Sequence, residues 1–217
     1  MKMPLRGQML RLGSACLFTA LLSPAMADLA PGTVAVYSDG TAQRLISSEA
    51  GRQVWEDQRL RRYTLSDNPL LPPLAREQRL GGVDYRNTLR TGRPDELLDS
   101  EPGEEREFSV WRSDRLGNRS PRNYACRYEG EREAEVLGKR EPLKRYFCER
   151  FTIHHKLWTR TVKETLRLDY SPRLQMLVDV QRTKKGETRR RSLDALIEAD
   201  SYSYRDVRKL LAKADDK

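Results

Sequence analysis

Apolar and polar residues alternate in short runs along most of the chain, and the runs are broken at turn residues with the spacing of an all-β protein. Val34 to Tyr37 leads into Ser38-Asp39-Gly40, a hairpin signal, and Thr41 to Ser48 leads into Ala50-Gly51. Two hairpins in series predict a meander. The run from Arg52 to Leu65 reads as a strand with Trp55, Tyr63 and Leu65 on one face and Val54 and Leu60 on the other. Its central Arg59-Leu60-Arg61-Arg62-Tyr63 reads as solvated rather than as a binding stripe. Asn68 to Pro73 is expected to be irregular, because proline has no ladder donor and restricts the residue before it. Gly92 to Gly103 is a second polar, turn-rich section, and Arg79 to Leu89 between them resolves into neither strand nor helix. Excursions of this kind suit one end of a barrel or sandwich, a common place for function.

From Arg106 onward the alternation sharpens. Phe108 and Val110 oppose Ser109 and Trp111, Leu116 to Pro121 reads as a loop, and Tyr124, Cys126 and Tyr128 share one face of a strand ending at Gly130. Glu131 to Leu137 reads as the next strand and Gly138 as the next turn. In Arg145 to Ile153, Tyr146 and Cys148 face away from Phe147, Phe151 and Ile153. Apolar residues on both faces fit a curled sheet, covered on one side by its own curvature and on the other by loops or a helix. Val162, Leu166, Leu168 and Tyr170 then alternate with polar residues. Leu174, Met176, Val178 and Val180 do the same after the Ser171-Pro172-Arg173 turn. A last hairpin at Lys184-Lys185-Gly186-Glu187 leads into Thr188 to Ile197. The tail differs: Tyr204, Val207, Leu210, Leu211 and Ala214 follow helical spacing behind a Ser203/Asp206 capping box. An amphipathic helix there would cover an open edge or face of the sheet.

The N-terminus changes where such a protein is expected to work. Lys2, Arg6 and Arg11 precede an apolar run from Leu12 to Leu22, then Pro24 and Ala25-Met26-Ala27, the pattern of a signal peptide cleaved before Asp28. The run is about half of the roughly 20 residues that span a bilayer, so no transmembrane segment is expected after cleavage. Cys16 lacks the upstream context of a lipidated cysteine. The expected organisation is a leader over 1–27 and one periplasmic β-rich domain over 28–217. Within that domain, 28–100 is meander and loops, 101–200 a disulfide-stapled sheet and 201–217 a helix. Residues beyond 27 hold 38 of the 41 basic side chains and all 32 acidic ones, a net +6 against +9 for the whole chain. That excess favours weak attraction to anionic envelope partners. No helix-turn-helix, zinc finger or aromatic nucleic-acid signature is present.

Once the leader is removed, Cys126 and Cys148 are the remaining cysteines, and in an exported chain they are expected to form a disulfide. A metal or redox pair would call for CxxC spacing and more ligands, and the two histidines, His154 and His155, sit in one dipeptide whose side chains diverge along a strand. No nucleophile elbow, HExxH, phosphate loop or dinucleotide fingerprint occurs, so no catalytic residue, metal or cofactor is assigned. Arg189, Arg190 and Arg191 form a basic triplet with two readings: a charged edge that blocks aggregation, or an anion-binding patch.

Several residues carry a family likeness. Pro102-Gly103, Tyr124-x-Cys126, Gly130, Gly138, Cys148, Tyr170-Ser171-Pro172, Val178 and Leu196 resemble a pattern in domains of unknown function of exported proteobacterial proteins. In that pattern a Y-x-C strand, a turn, a second cysteine and a W-Y-x-P hairpin follow one another. The resemblance covers about Pro102 to Ile197; this chain has Leu137-Gly138 in place of P-A-G, Asp169 in the Trp position and Leu174-Gln175 in place of the hairpin glycine. It implies an all-β periplasmic domain and brings no catalytic residues. The expected fold is a curled antiparallel sheet, half-barrel or barrel-like, with one C-terminal helix. The expected function is non-enzymatic binding or envelope maintenance, with a lipid, lipoprotein or protein partner. The rival is an envelope hydrolase using carboxylates between Gly92 and Glu105.

Overall fold

A computed structural model describes residues 29–78, 81–154, 159–199 and 201. The expected leader, the expected helix from Tyr204 to Ala214 and His155 lie outside them. Twelve strands are present among the described residues: β1 (Val34–Tyr37), β2 (Ala42–Glu49), β3 (Arg52–Asp57), β4 (Arg61–Ser66), β5 (Ala75–Gln78), β6 (Val83–Thr91), β7 (Glu105–Asp114), β8 (Arg119–Val136), β9 (Lys139–His154), β10 (Thr159–Ser171), β11 (Met176–Lys184) and β12 (Glu187–Ile197). Each pairs antiparallel with its sequence neighbours, and β1 closes on β12 through Val34↔Ile197 and Ala35↔Leu196. The result is a closed up-and-down barrel, which leaves no free sheet edge.

Local chemistry explains most strand ends. Ala50-Gly51, Leu137-Gly138 and Lys185-Gly186 each have positive φ at both residues, the requirement of the two-residue turns whose twist matches that of the flanking strands. The run from Arg52 to Leu65 is two strands, not one, and Asp57 makes the difference. Its Oδ1 accepts the N–H groups of Arg59 (2.9 Å) and Arg61 (3.0 Å), while Oδ2 accepts from Arg61 Nε (2.8 Å) and the Tyr63 hydroxyl (3.2 Å). These bonds close a hairpin in which Leu60 takes φ 59°, so Leu60 belongs to a turn and not to a strand face.

Bulges account for the other departures from simple alternation. Gly130 (φ 105°) does not end a strand; it is a bulge inside the 18-residue β8, which continues to Val136. Pro121 lies within the same strand opposite Trp111, so the β7–β8 loop is shorter than the expected Leu116 to Pro121. A bulge between Val162 and Glu164 turns Val162 to the face of Phe151, away from Leu166. The run from Arg79 to Leu89, whose sequence pattern favours neither strand nor helix, contains most of β6, with Tyr85 buried. Extra residues of this kind bend the strands and increase their twist, which a closing barrel needs.

The barrel is filled from within. One apolar cluster joins Trp55, Leu45, Tyr37, Leu143 and Leu174; another joins Phe108, Tyr124, Tyr128, Tyr146, Leu168 and the disulfide. Val34 and Val36 point away from Ala35 and Tyr37 and are buried as well, so β1 is covered on both faces.

Candidate functional site

The two long connections, residues 67–74 between β4 and β5 and residues 92–104 between β6 and β7, leave from the same end of the barrel. Both send leucines into the lumen: Leu70 and Leu97 are buried in the cluster around Phe108 and Tyr146. The first is held by a local cap, Asn68 Oδ1 accepting the Leu70 N–H at 2.9 Å. It is also held by the strands, because Asn87 Nδ2 donates to Pro73 O at 2.6 Å and Leu74 N donates to Thr64 O at 2.7 Å. The second forms a 3-10 turn over Pro94–Asp99, to which Lys144 Nζ donates at Leu98 O (2.6 Å). Gly92 enters this connection at φ 86°, where a Cβ would stand 2.3 Å from Glu107 O.

Between the inserted 67–74 segment and the wall formed by β10, β11, β12 and β1–β4 remains a cavity of about 250 Å³. Tyr37, Trp55, Leu65, Leu71, Tyr170 and Val180 supply its apolar lining, and Arg191 supplies a cation. Trp55 Nε1 donates to Gln53 Oε1 at 3.0 Å, so the indole is satisfied within the wall. The Arg191 guanidinium lies 4.0 Å from the Tyr37 ring centroid, a cation–π contact. Burial pushes the Tyr37 hydroxyl above its ordinary value, against the opposing pull of Arg191.

Strand alternation separates the basic triplet. Arg191 faces the cavity. Arg190 points outward and binds the Asp179 carboxylate through Nε and Nη2, and Arg189 pairs with Glu187 at 2.8 Å on an exposed hairpin. Among the acids between Gly92 and Glu105, Glu96 binds Arg93 (2.9 Å) and Arg106 (3.3 Å), Glu104 binds Arg106 (2.9 Å) and Asp95 lies 3.6 Å from Arg93. These carboxylates serve an exposed ion-pair network. His154 ends β9 and is exposed, and no group of three or more His, Cys, Asp or Glu suited to a metal occurs among the described residues.

Cys126 and Cys148 are bonded directly across β8 and β9, with Cα atoms 4.0 Å apart. A disulfide of this kind persists in oxidising compartments and suggests an exported or envelope protein. The residues missed by sequence reasoning are those of the cavity wall. Trp55 and Tyr37 were visible as apolar strand positions, but nothing local marked them as facing Leu71 of a proline-rich loop.

No protein-family model and no curated protein matches the chain. Among solved structures it is similar to the hypothetical lipoprotein YmcC from Escherichia coli (K12), at 9% sequence identity and a TM-score of 0.44, over 74% of this chain and 80% of that one. A likeness at that level is too distant to carry an argument about function.

Proposed function

We propose that the protein is a non-enzymatic binding factor of the periplasm that takes a short apolar group, such as the end of an acyl chain from a lipid or lipoprotein, into the barrel lumen. The observation that supports this reading is the cavity of about 250 Å³, lined by aromatic and aliphatic side chains together with polar ones such as Gln43 and Gln53, with Arg191 at its wall and the exposed Asp67 at its rim. Its size lies just below the roughly 300–1,000 Å³ of ordinary ligand pockets and above the roughly 150 Å³ that holds a benzene. It therefore accommodates part of a lipid, not a whole one. Arg191 forms no ion pair with a described residue, Asp67 at the rim included, and suits a carboxylate or another anionic end group.

The test is calorimetric titration of the purified protein with straight-chain carboxylates of increasing length and with the matching alcohols. Affinity is expected to rise with chain length and level off when the cavity is full. Arg191→Gln should weaken the carboxylates and spare the alcohols, Arg190→Gln should change neither, and Val180→Phe should abolish both by occupying the space. Absence of saturable binding at every length would refute the reading.

A further inference from the structure

The opposite end of the lumen has a different chemistry. It is the end of the hairpin turns that join β3 to β4, β5 to β6 and β7 to β8, and register places Tyr85, Arg112, Arg122, Tyr124 and Arg150 on the same inward face as Val110. Five arginines belong to this band: Arg76, Arg112, Arg122, Arg150 and Arg182. Two carboxylates answer them. Asp84 binds Arg76 at 2.8 Å, and Glu164 is shared by Arg150 (3.3 Å) and Arg182 (2.7 Å). Asp114 stands on the same face opposite Tyr85 but pairs with none of the five, so five arginines face three carboxylates and the band keeps a surplus of two positive charges.

Arg112 and Arg122 are the pair without an acid: neither forms an ion pair with any described residue. Arg112 lies over Tyr85, its guanidinium carbon 3.6 Å from the ring centroid, with that of Arg76 5.1 Å from the same centroid. Arg122 Nε is buried with no hydrogen-bond partner, and so are Arg150 Nε and Thr152 Oγ1, all able to donate. Buried donors are almost always satisfied, and buried charges are almost always paired. Here three donors and two cations are left open on one face of the lumen. The local field agrees: Arg112 is drawn below its ordinary value first by burial and then by Arg122, and the Tyr124 hydroxyl lies within electrostatic reach of Arg122, Arg150 and Arg112.

We infer that this end of the barrel is an anion-binding site in which Arg112 and Arg122, with the open donors of Arg150 and Thr152, grip a phosphate group. A phosphate supplies several acceptor oxygens at the spacing of a guanidinium fork, and its charge matches a surplus that a single carboxylate would only half compensate. None of these residues lines the apolar cavity, so the inference stands or falls separately from the binding of an apolar group. The phosphate could belong to a lipid headgroup or to a soluble phosphorylated compound, and the experiment distinguishes the two.

One arm titrates inorganic phosphate into the intact exported chain at constant ionic strength, with sodium chloride as control, and follows heat and phosphorus NMR. The other arm measures sedimentation of the protein with phosphatidylglycerol vesicles against phosphatidylcholine vesicles. Saturable phosphate binding that Arg122→Gln or Arg112→Gln weakens by about tenfold or more, with Arg190→Gln unchanged, supports the site. Salt-sensitive vesicle binding with the same mutational pattern assigns the phosphate to a membrane. Arg122→Lys, which keeps charge but loses the fork, should weaken binding as well, and it serves if Arg122→Gln does not fold. Absence of a phosphate-dependent NMR change in the wild-type protein together with absence of vesicle binding overturns the inference. Binding in either arm that the arginine substitutions leave intact overturns it too.

Discussion

Asp169 offers the sharpest test of what holds the barrel wall together. It sits on the outer face of β10, and two arginines from the neighbouring β8–β9 hairpin converge on it. Arg132 donates through Nε (3.0 Å) and Nη2 (2.6 Å), and Arg145 through Nε (2.7 Å) and Nη2 (3.0 Å). The carboxylate is 4% exposed, the arginines 35% and 29%. Removing one partner of a fully buried pair costs about 3–5 kcal/mol. Here the arginines left behind keep access to water and re-solvate in part, so Asp169→Ala should cost about 2–4 kcal/mol. For a domain of this size that lowers Tm by about 5–15 °C.

The pH dependence adds a second, independent reading of the same contact. Burial alone would raise the Asp169 carboxyl, but hydrogen bonds from Arg145 and Arg132 outweigh it and hold the group below the usual carboxylate range. A carboxyl with a depressed folded-state value contributes stability that is full above its unfolded value, about pH 4, and is lost as pH falls toward the folded value. The gap between wild type and Asp169→Ala should therefore be largest near neutrality and narrow toward pH 3. Urea unfolding at several pH values, with the m-value checked for constancy, measures it. A gap below about 0.5 kcal/mol at pH 7, within the range of ordinary surface substitutions, or one that does not narrow on acidification, would refute the reasoning.

Three further outcomes are expected. Thiol labelling of unfolded, unreduced protein that lacks residues 1–27 should find no free cysteine, and replacing both Cys126 and Cys148 by alanine should cost about 3 kcal/mol, because the bond closes a loop of 22 residues in the unfolded chain. Gly92→Ala should destabilise by more than about 2 kcal/mol in urea melts, since the added methyl would meet Glu107 O at 2.3 Å and the backbone stands at φ 86°. Leu137→Asn should stabilise by about 0.5–1 kcal/mol, seen as a higher unfolding midpoint, because Leu137 holds φ 53° at a turn position that asparagine adopts at lower cost.

The legible part of this fold was the part encoded within a few residues. Ala50-Gly51, Gly138 and Lys185-Gly186 marked hairpins because their conformations exclude most other residues, and Cys126 and Cys148 marked a pair because few cysteines remained. Closure was not legible: Val34 meets Ile197 from the far end of the chain, and no local pattern carries that register. Faces failed wherever a bulge intervened, since one extra residue inverts every later side chain. That is why Val162 was placed with Leu166 and stands instead with Phe151. The arginine triplet illustrates the converse: adjacency in sequence suggested one patch, and strict alternation sent Arg190 to Asp179 and Arg191 to Tyr37. As for Asn68 to Pro73, prolines announced the irregular backbone but could not announce that Leu70 would be buried against Phe108 and Tyr146.

That inserted segment also decides what the lumen can hold. Most of the cavity wall is a strand locked into continuous ladders, and such a wall opens only with the whole sheet. The segment from residue 67 to 74 is fastened instead near its two ends, by Asp67 N to Gly51 O and Asn68 N to Ser66 Oγ at one and by Leu74 N to Thr64 O, Asn87 N to Leu74 O and Asn87 Nδ2 to Pro73 O at the other, while Leu70 N and Leu71 N donate only within the segment, to Asn68. Local opening follows the density of such bonds, so this wall yields before the others do. Displacing it would expose Leu70 and Leu71 and cost about 1–3 kcal/mol for each buried side chain moved into water, unless a ligand's own apolar surface took their place. An acyl chain is such a replacement: it would exchange with the leucines contact for contact, at little net cost in buried area. On the proposed reading, a ligand longer than the cavity would then take the place of Leu70 and Leu71.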